Sequence, residues 1–211
     1  MPDWSTIASF ATAGGTLVLA VSTFAAVRSS NRSARIAEEG LLTGLRPLLI
    51  PSEGDDPVQK VLWSDFHKAS LHGGRAVAEV ENEVIYLAMG VRNAGSGIAL
   101  LHGWHPYPGR AFGEVPPVDP GEIRNLTIDL YVPPGGAGYF EAAVREPDDA
   151  VYDELVATIT GRRPFTIDLL YGDLQGRQRT ISRFTIVPVD DGDGWFCRAS
   201  RHWNLDAPAP R

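Results

Sequence analysis

The run TLVLAVSTFAAVRSSNR, residues 16–32, sets the narrowest limits on how this chain can fold. From Ser5 to Val27 there are 23 residues without a charge. As one helix, such a run extends about 34 Å, enough to span the hydrocarbon core of a bilayer. Alanine, threonine, serine and glycine keep it only moderately hydrophobic. Small residues are also what lets membrane helices approach closely, which makes Ala11, Gly14 and Gly15 the expected helix-pairing positions. Trp4 falls at the expected interface. An export signal carries positive charge ahead of its apolar run, whereas this chain begins Met-Pro-Asp and places Arg28, Arg32 and Arg35 after it. The positive-inside rule then predicts a single-pass protein of the cell inner membrane, N-terminus outside and everything after Arg28 cytoplasmic. Two other readings stay open: a signal cleaved after Ala25 or Ala26, and a helix buried in a partner.

Charge separates the remainder from nucleic-acid binders. Asp3 against Arg28, Arg32 and Arg35 gives residues 1–35 a net of +2, leaving −9 of the total −7 for residues 36–211. An acidic domain is a poor binder of nucleic acid, whose affinity rests largely on neutralised phosphates, so no nucleic-acid partner is expected. Cys197 is the only cysteine, which excludes an intrachain disulfide. The 22 glycines and 16 prolines favour turns and short elements.

Three segments follow: residues 1–29, a transmembrane helix with a short flank; 30–46, a juxtamembrane helix or a continuation of the first; and 47–211, a β-domain. In the last, PLLIP suggests an edge strand or extended lead-in. RAVAEVENEVIYLAMGVRN holds two apolar runs around Glu81-Asn82-Glu83, one bulged strand or two. NAGSG reads as a flexible turn and IALLHGWHPY as a strand. GEIRNLTIDLYVPP alternates through Ile123, Leu126, Ile128 and Leu130, with one irregularity. AGYFEAAVRE is a short strand, and DDAVYDELVAT is a helical turn or a strand. PFTIDLLYGD and RTISRFTIVP flank LQGRQ as a hairpin, and GWFCRASRHW supplies a final strand. Seven or eight strands at short intervals predict a mainly β fold, an antiparallel sandwich, with a small open barrel as the alternative.

Chemistry-bearing residues are sparse. His102 and His105 in LHGWH would need a third ligand to hold zinc or iron, and His67 and His72 have no evident place beside them. Cys197, in WFCRAS, reads as a buried structural thiol; His202 would be a basic partner only by accident of folding. VDDGDG (Asp190, Asp191, Asp193) lacks the spacing and final glutamate of a calcium loop, and Asp168 and Asp173 have no legible partner. The GGAG and GSG segments are turns, and no GxSxG occurs. No catalytic, cofactor-binding or metal-ligating residue is therefore assigned, and no cofactor is expected. Trp104 and Tyr107, with His102 and His105, sit among prolines and form the expected partner-binding loop.

The span, RPLLIP, VRNAGSGIALLHGW and LLYGDLQGR together resemble uncharacterised bacterial proteins that have one N-terminal membrane helix, a short arginine-containing helix and a small β-sandwich. The glycine content and acidic balance also resemble actinobacterial proteins. The resemblance implies an immunoglobulin-like architecture and supplies no substrate or catalytic residue. The expected function is a membrane-anchored, non-enzymatic binding or scaffolding module whose contacts are the lipid bilayer and a protein partner or a second copy. The alternatives are a metal-binding or enzymatic domain using His102 and His105, and an exported ligand-binding domain.

Overall fold

The computed structural model describes residues 3–111, 115–190 and 194–206, except for the side chains at 4–12, 39, 42, 43 and 129. The chain divides into two compact units, Met1–Gly44 and Leu45–Arg211. The first is one helix, α1 (Trp4–Gly44), the continuous form that the sequence left open beside a separate juxtamembrane helix. Between Gly15 and Gly40 there is neither glycine nor proline, so nothing interrupts the helical hydrogen bonding. It ends at Gly44, shortly before Pro47, which restricts the residue ahead of it. Leu17, Val18, Leu19, Val21, Phe24 and Val27 are all exposed. Successive helical residues point about 100° apart, so these side chains surround the helix instead of forming one stripe. Among the described residues, no helix is long and apolar enough to cross a membrane; the uncharged run itself begins at Ser5, where side chains are not described. Ala11 lies outside the described side chains for the same reason, while Gly14 and Gly15 have open space around them.

The second unit is mainly antiparallel β-structure. Its elements are β1 (Leu49–Pro51), β2 (Gln59–Leu62), β3 (Lys68–Leu71), β4 (Arg75–Glu81), β5 (Val84–Asn93), β6 (Ala99–Tyr107), β7 (Arg124–Val132), β8 (Ala137–Val144), α2 (Tyr152–Thr160), β9 (Phe165–Gly172), β10 (Arg179–Pro188) and β11 (Trp195–Asn204). Nine strands form one sheet in the order β1-β5-β4-β11-β10-β9-β6-β7, with β8 on the other edge of β5. Only two residue pairs join β4 to β11, Ala76 with Trp195 and Arg75 with Phe196. At that thin seam the sheet turns into two leaves, β7-β6-β9-β10-β11 and β4-β5-β8 with β1 also on β5. Their inner faces share one apolar core containing Met89, Trp104, Phe140, Leu169, Phe184 and Trp195.

Local chemistry explains the joints. Asn82 and Glu83 both have positive φ, 50° and 61°, the signature of a two-residue type I′ hairpin between β4 and β5. In the β9–β10 hairpin the Asp173 carboxylate accepts from the Arg177 and Gln178 amides, and Gly176 takes a φ of 68°. The ambiguous DDAVYDELVAT segment is helical. The Asp149 carboxylate accepts from the Val151 amide at its start, and Tyr152, Leu155 and Ile159 turn one face inward.

The NAGSG segment is tied rather than flexible. Asn93 is fully buried; its amide donates to the carbonyls of Gly97 (2.7 Å) and Val132 (3.0 Å), and its oxygen accepts from the amides of Leu48 (3.2 Å) and Gly95 (2.9 Å). A Cβ on Gly97 would meet the Leu45 carbonyl oxygen at 1.9 Å. Glycine here permits close backbone approach.

Both leaves are covered outside. The β2–β3 hairpin lays Val61, Trp63 and Leu71 over Tyr86 and Ala88 of β5. The segment between β6 and β7 places Val118 on Leu170 and Ile181. It is held by Arg183, which donates to the carbonyls of Val115 and Pro116, both at 3.0 Å, while pairing with buried Asp168 at 2.7 Å.

Candidate functional site

Consecutive strands β7 and β8 belong to different leaves. β7 pairs with β6 and β8 with β5, and among the described residues no register pair joins β7 to β8. Two strand edges therefore face each other unpaired. Along β7 the opening is widened by a bulge: Leu101 faces Leu130, but Gly103 already faces Asn125. Residues 126–129 stand opposite His102 alone, so their backbone has no partner in the β6 ladder.

The result is a cleft of about 370 Å³. Asn125 to Ile128 form one wall, Glu141 to Ala143 with Arg145 the other, and Leu62 to Ser64 of the outer hairpin the third; Trp104 reaches it from β6. Trp104 is buried, edge-on to Phe140 at 5.7 Å, with the Arg124 guanidinium 5.7 Å above its ring. Asp149 grips Arg124 through both oxygens at 2.5 and 2.7 Å, and that hydrogen-bonded guanidinium holds the Asp149 carboxyl below the usual range. Trp63 donates its indole N–H to the Ala142 carbonyl of β8 at 3.0 Å.

Beside Trp63 sits a polar knot. The Tyr86 hydroxyl donates to Asp65 at 2.6 Å, and Arg145 pairs with the same carboxylate. The tyrosine hydrogen bond and then the arginine hold Asp65 far below the normal carboxyl range. His67 stacks on Tyr86 at 3.9 Å and lies 3.1 Å from Glu79 and 3.2 Å from Glu81. Arg145 is thus engaged with Asp65. Glu141 differs: it is 8% exposed, and its Oε2 has no hydrogen-bond partner. Burial raises its pKa.

The four residues expected in a partner-binding loop lie on strand β6. The bulge brings Trp104 as well as Leu101 into the core, and Pro106 is accommodated within the strand. His105 Nδ1 is 3.2 Å from the Glu122 carbonyl and edge-on to Tyr107 at 4.7 Å. Tyr107 donates to Asp168 at 3.3 Å. His102 is half-buried beside the bulge. Of the four, only Trp104 belongs to the cleft. Among the described residues no group of three His, Cys, Asp or Glu could hold a metal ion; Asp191 and Asp193 lie outside them. Cys197 is buried against Met89 at 3.6 Å, and burial pushes its thiol pKa strongly upward, away from nucleophilic use.

Known protein families, curated proteins and solved structures contain no match to this chain. The cleft must be read from its own chemistry: aromatic surface, two strand edges without a ladder between them and one carboxylate oxygen without a hydrogen-bond partner.

Glu141→Gln tests that carboxylate. A raised folded-state pKa means the folded domain holds the proton more tightly than the unfolded chain. Below the ordinary value of 4.5 both states bind it; as pH rises above that, the unfolded chain ionises first and stability falls. Asp65 and Arg145 neighbour the cleft as a mutual pair, and Tyr139, on the same strand, is a neutral phenol at these pH values. Glutamine removes the slope. The variant should be more stable at pH 7 by about 1–2 kcal/mol, the gain shrinking toward pH 4.5. Urea melts at the two pH values measure it; equal losses at both would contradict an unpartnered carboxylate.

Proposed function

We propose that the chain is a membrane-anchored, non-enzymatic binding or scaffolding module: α1 crosses the cell inner membrane and holds an immunoglobulin-like sandwich at its cytoplasmic face. The observation that carries this reading is the set of six exposed large apolar side chains on α1 between Leu17 and Val27. Exposed apolar side chains spread around a helix favour a bilayer or a protein around them, and burying six of them is worth on the order of 10 kcal/mol. The 23-residue uncharged run has the length for a bilayer. Arg28, Arg32 and Arg35, directly after it, favour the cytoplasmic side for the domain. Two leaves around a common core fit a sandwich of the immunoglobulin type, a scaffold that hosts many functions, so the function must come from its sites. The cleft offers aromatic surface and strand edges without a ladder between them, which supports a binding role, with a protein or a second copy as partner.

Topology reporters fused after residues 50 and 211 in intact bacteria, with an intact-mass measurement, test this reading. The expected result is a cytoplasmic signal from both fusions and residues 1–27 retained. An external signal would overturn the orientation; an external signal with the N-terminus missing would make this an exported domain.

A further inference from the structure

We propose that the cleft between β7 and β8 accepts an extended, basic polypeptide segment as an added strand, with a lysine or arginine of that segment paired to Glu141. The inference deepens the binding-module reading and rests on it, but not on the anchor. Three independent features support it. The first is backbone: among the described residues β7 pairs only with β6 and β8 only with β5, so their other edges face one another without a ladder, apart from the Ala142 carbonyl that Trp63 occupies. Unpaired strand edges are templates for another strand, and strand addition is a recurrent way of binding peptides. Four residues of the β7 wall correspond to about 13 Å of partner strand.

The second feature is the carboxylate. Glu141 is more than nine-tenths buried, lines the cleft, and leaves Oε2 without a partner. Arg145, the cation closest in sequence, is committed to Asp65. A buried carboxylate without a cation is costly, and an incoming ammonium or guanidinium removes that cost. The third is charge and surface. Asp3, Glu38 and Glu39 cancel Arg28, Arg32 and Arg35, so residues 45–211 carry the entire net charge of −7, which favours a basic partner. Trp104 and Trp63 give apolar residues of the same strand a surface beside the cation's position.

A displayed library of nine-residue peptides, selected against the purified full chain, tests the proposal, with hydrogen exchange on the protein bound to the enriched peptides. The enriched sequences should share one lysine or arginine within alternating apolar residues and should slow exchange at residues 125–129 and around Ala142. Replacing that cation by glutamate, or making Glu141→Gln in the protein, should weaken binding at least tenfold; the stability of Glu141→Gln is measured alongside, so misfolding cannot imitate the loss. Enriched peptides that protect another face would overturn this site and leave the binding-module reading standing. Equal binding to Glu141→Gln would overturn the pairing. No enrichment of any peptide would count against both this site and the wider reading.

Discussion

Replacing Arg183 with methionine is expected to destabilise the β-domain by about 3–5 kcal/mol. The guanidinium is 2% exposed and pairs with Asp168, which is fully buried. It donates through Nε and Nη2 to the two Asp168 oxygens, both at 2.7 Å, while Nη1 donates to the Val115 carbonyl and Nη2 also to the Pro116 carbonyl. Methionine keeps much of the volume but strands a carboxylate in the interior with the Val118 amide and the Tyr107 hydroxyl as its remaining donors. The tyrosine is already affected by this environment: burial, with the charge of Asp168 next, pushes its pKa up to about 12. Urea unfolding followed by tryptophan fluorescence measures the loss, and Trp203 is a convenient reporter because Arg183 lies 4.8 Å from its ring centre. The double variant Asp168→Leu/Arg183→Met should recover most of the stability, since removing both charges removes the stranded one. Trypsin cleavage after Arg110 should accelerate in the single variant, because the covering segment has lost its two carbonyl anchors. A loss under 1 kcal/mol in the single variant would mean that Asp168 is not held as a buried ion.

That pair also shows what a sequence can and cannot disclose. The strands carrying it are readable, because TIDLLYGD and RTISRFTIVP flank a polar turn, and the hairpin register follows from the turn. Arg183 facing Asp168 is then geometrically implied. Nothing in the alternation says that this face of the sheet will be covered, and only the covering segment turns an ordinary surface pair into a buried one. The type I′ turn at Asn82-Glu83 was visible as a polar break. The I′ geometry itself was not, since glutamate at positive φ is uncommon.

The cleft was half legible. The irregular spacing from Ile123 to Leu130 marks the β7 bulge, and Glu141 stands out as an acid between Phe140 and Ala142. What sequence lacks is the fact that β7 and β8, neighbours along the chain, join opposite leaves and leave their edges open. That depends on β5 pairing with β4 and β8 together and on β6 pairing with β9. The attention drawn by LHGWH to a loop had a similar origin: histidines and prolines look like loop chemistry, but the bulge at Leu101–Gly103 lets β6 run on through Pro106. The unpaired run of α1 is the reverse case, readable from composition alone, because a 23-residue stretch without charge needs no tertiary information.

On the proposed anchor reading, Leu17→Arg with Val21→Arg should release the chain from the membrane. The two positions lie one turn apart, near the middle of the uncharged run. Each arginine at a helix centre costs about 2.5–3.5 kcal/mol on insertion scales, so the pair opposes insertion by about 5–7 kcal/mol. That corresponds to a shift in partition on the order of 10⁴-fold, partly offset where long side chains reach toward the headgroups. The measurement is alkaline carbonate extraction and flotation on a density gradient, comparing the natural chain with the double variant. The natural chain should float and resist extraction; the variant should remain with soluble protein or be degraded. Substituting Ile36 and Leu41 by arginine controls for charge alone: both are exposed on the same helix but lie beyond Arg28, so membrane association should persist. Identical flotation of all three proteins would remove the anchor. Release by either pair alike would point to a protein partner that covers the whole length of α1, because a bilayer discriminates by depth whereas a coating protein need not.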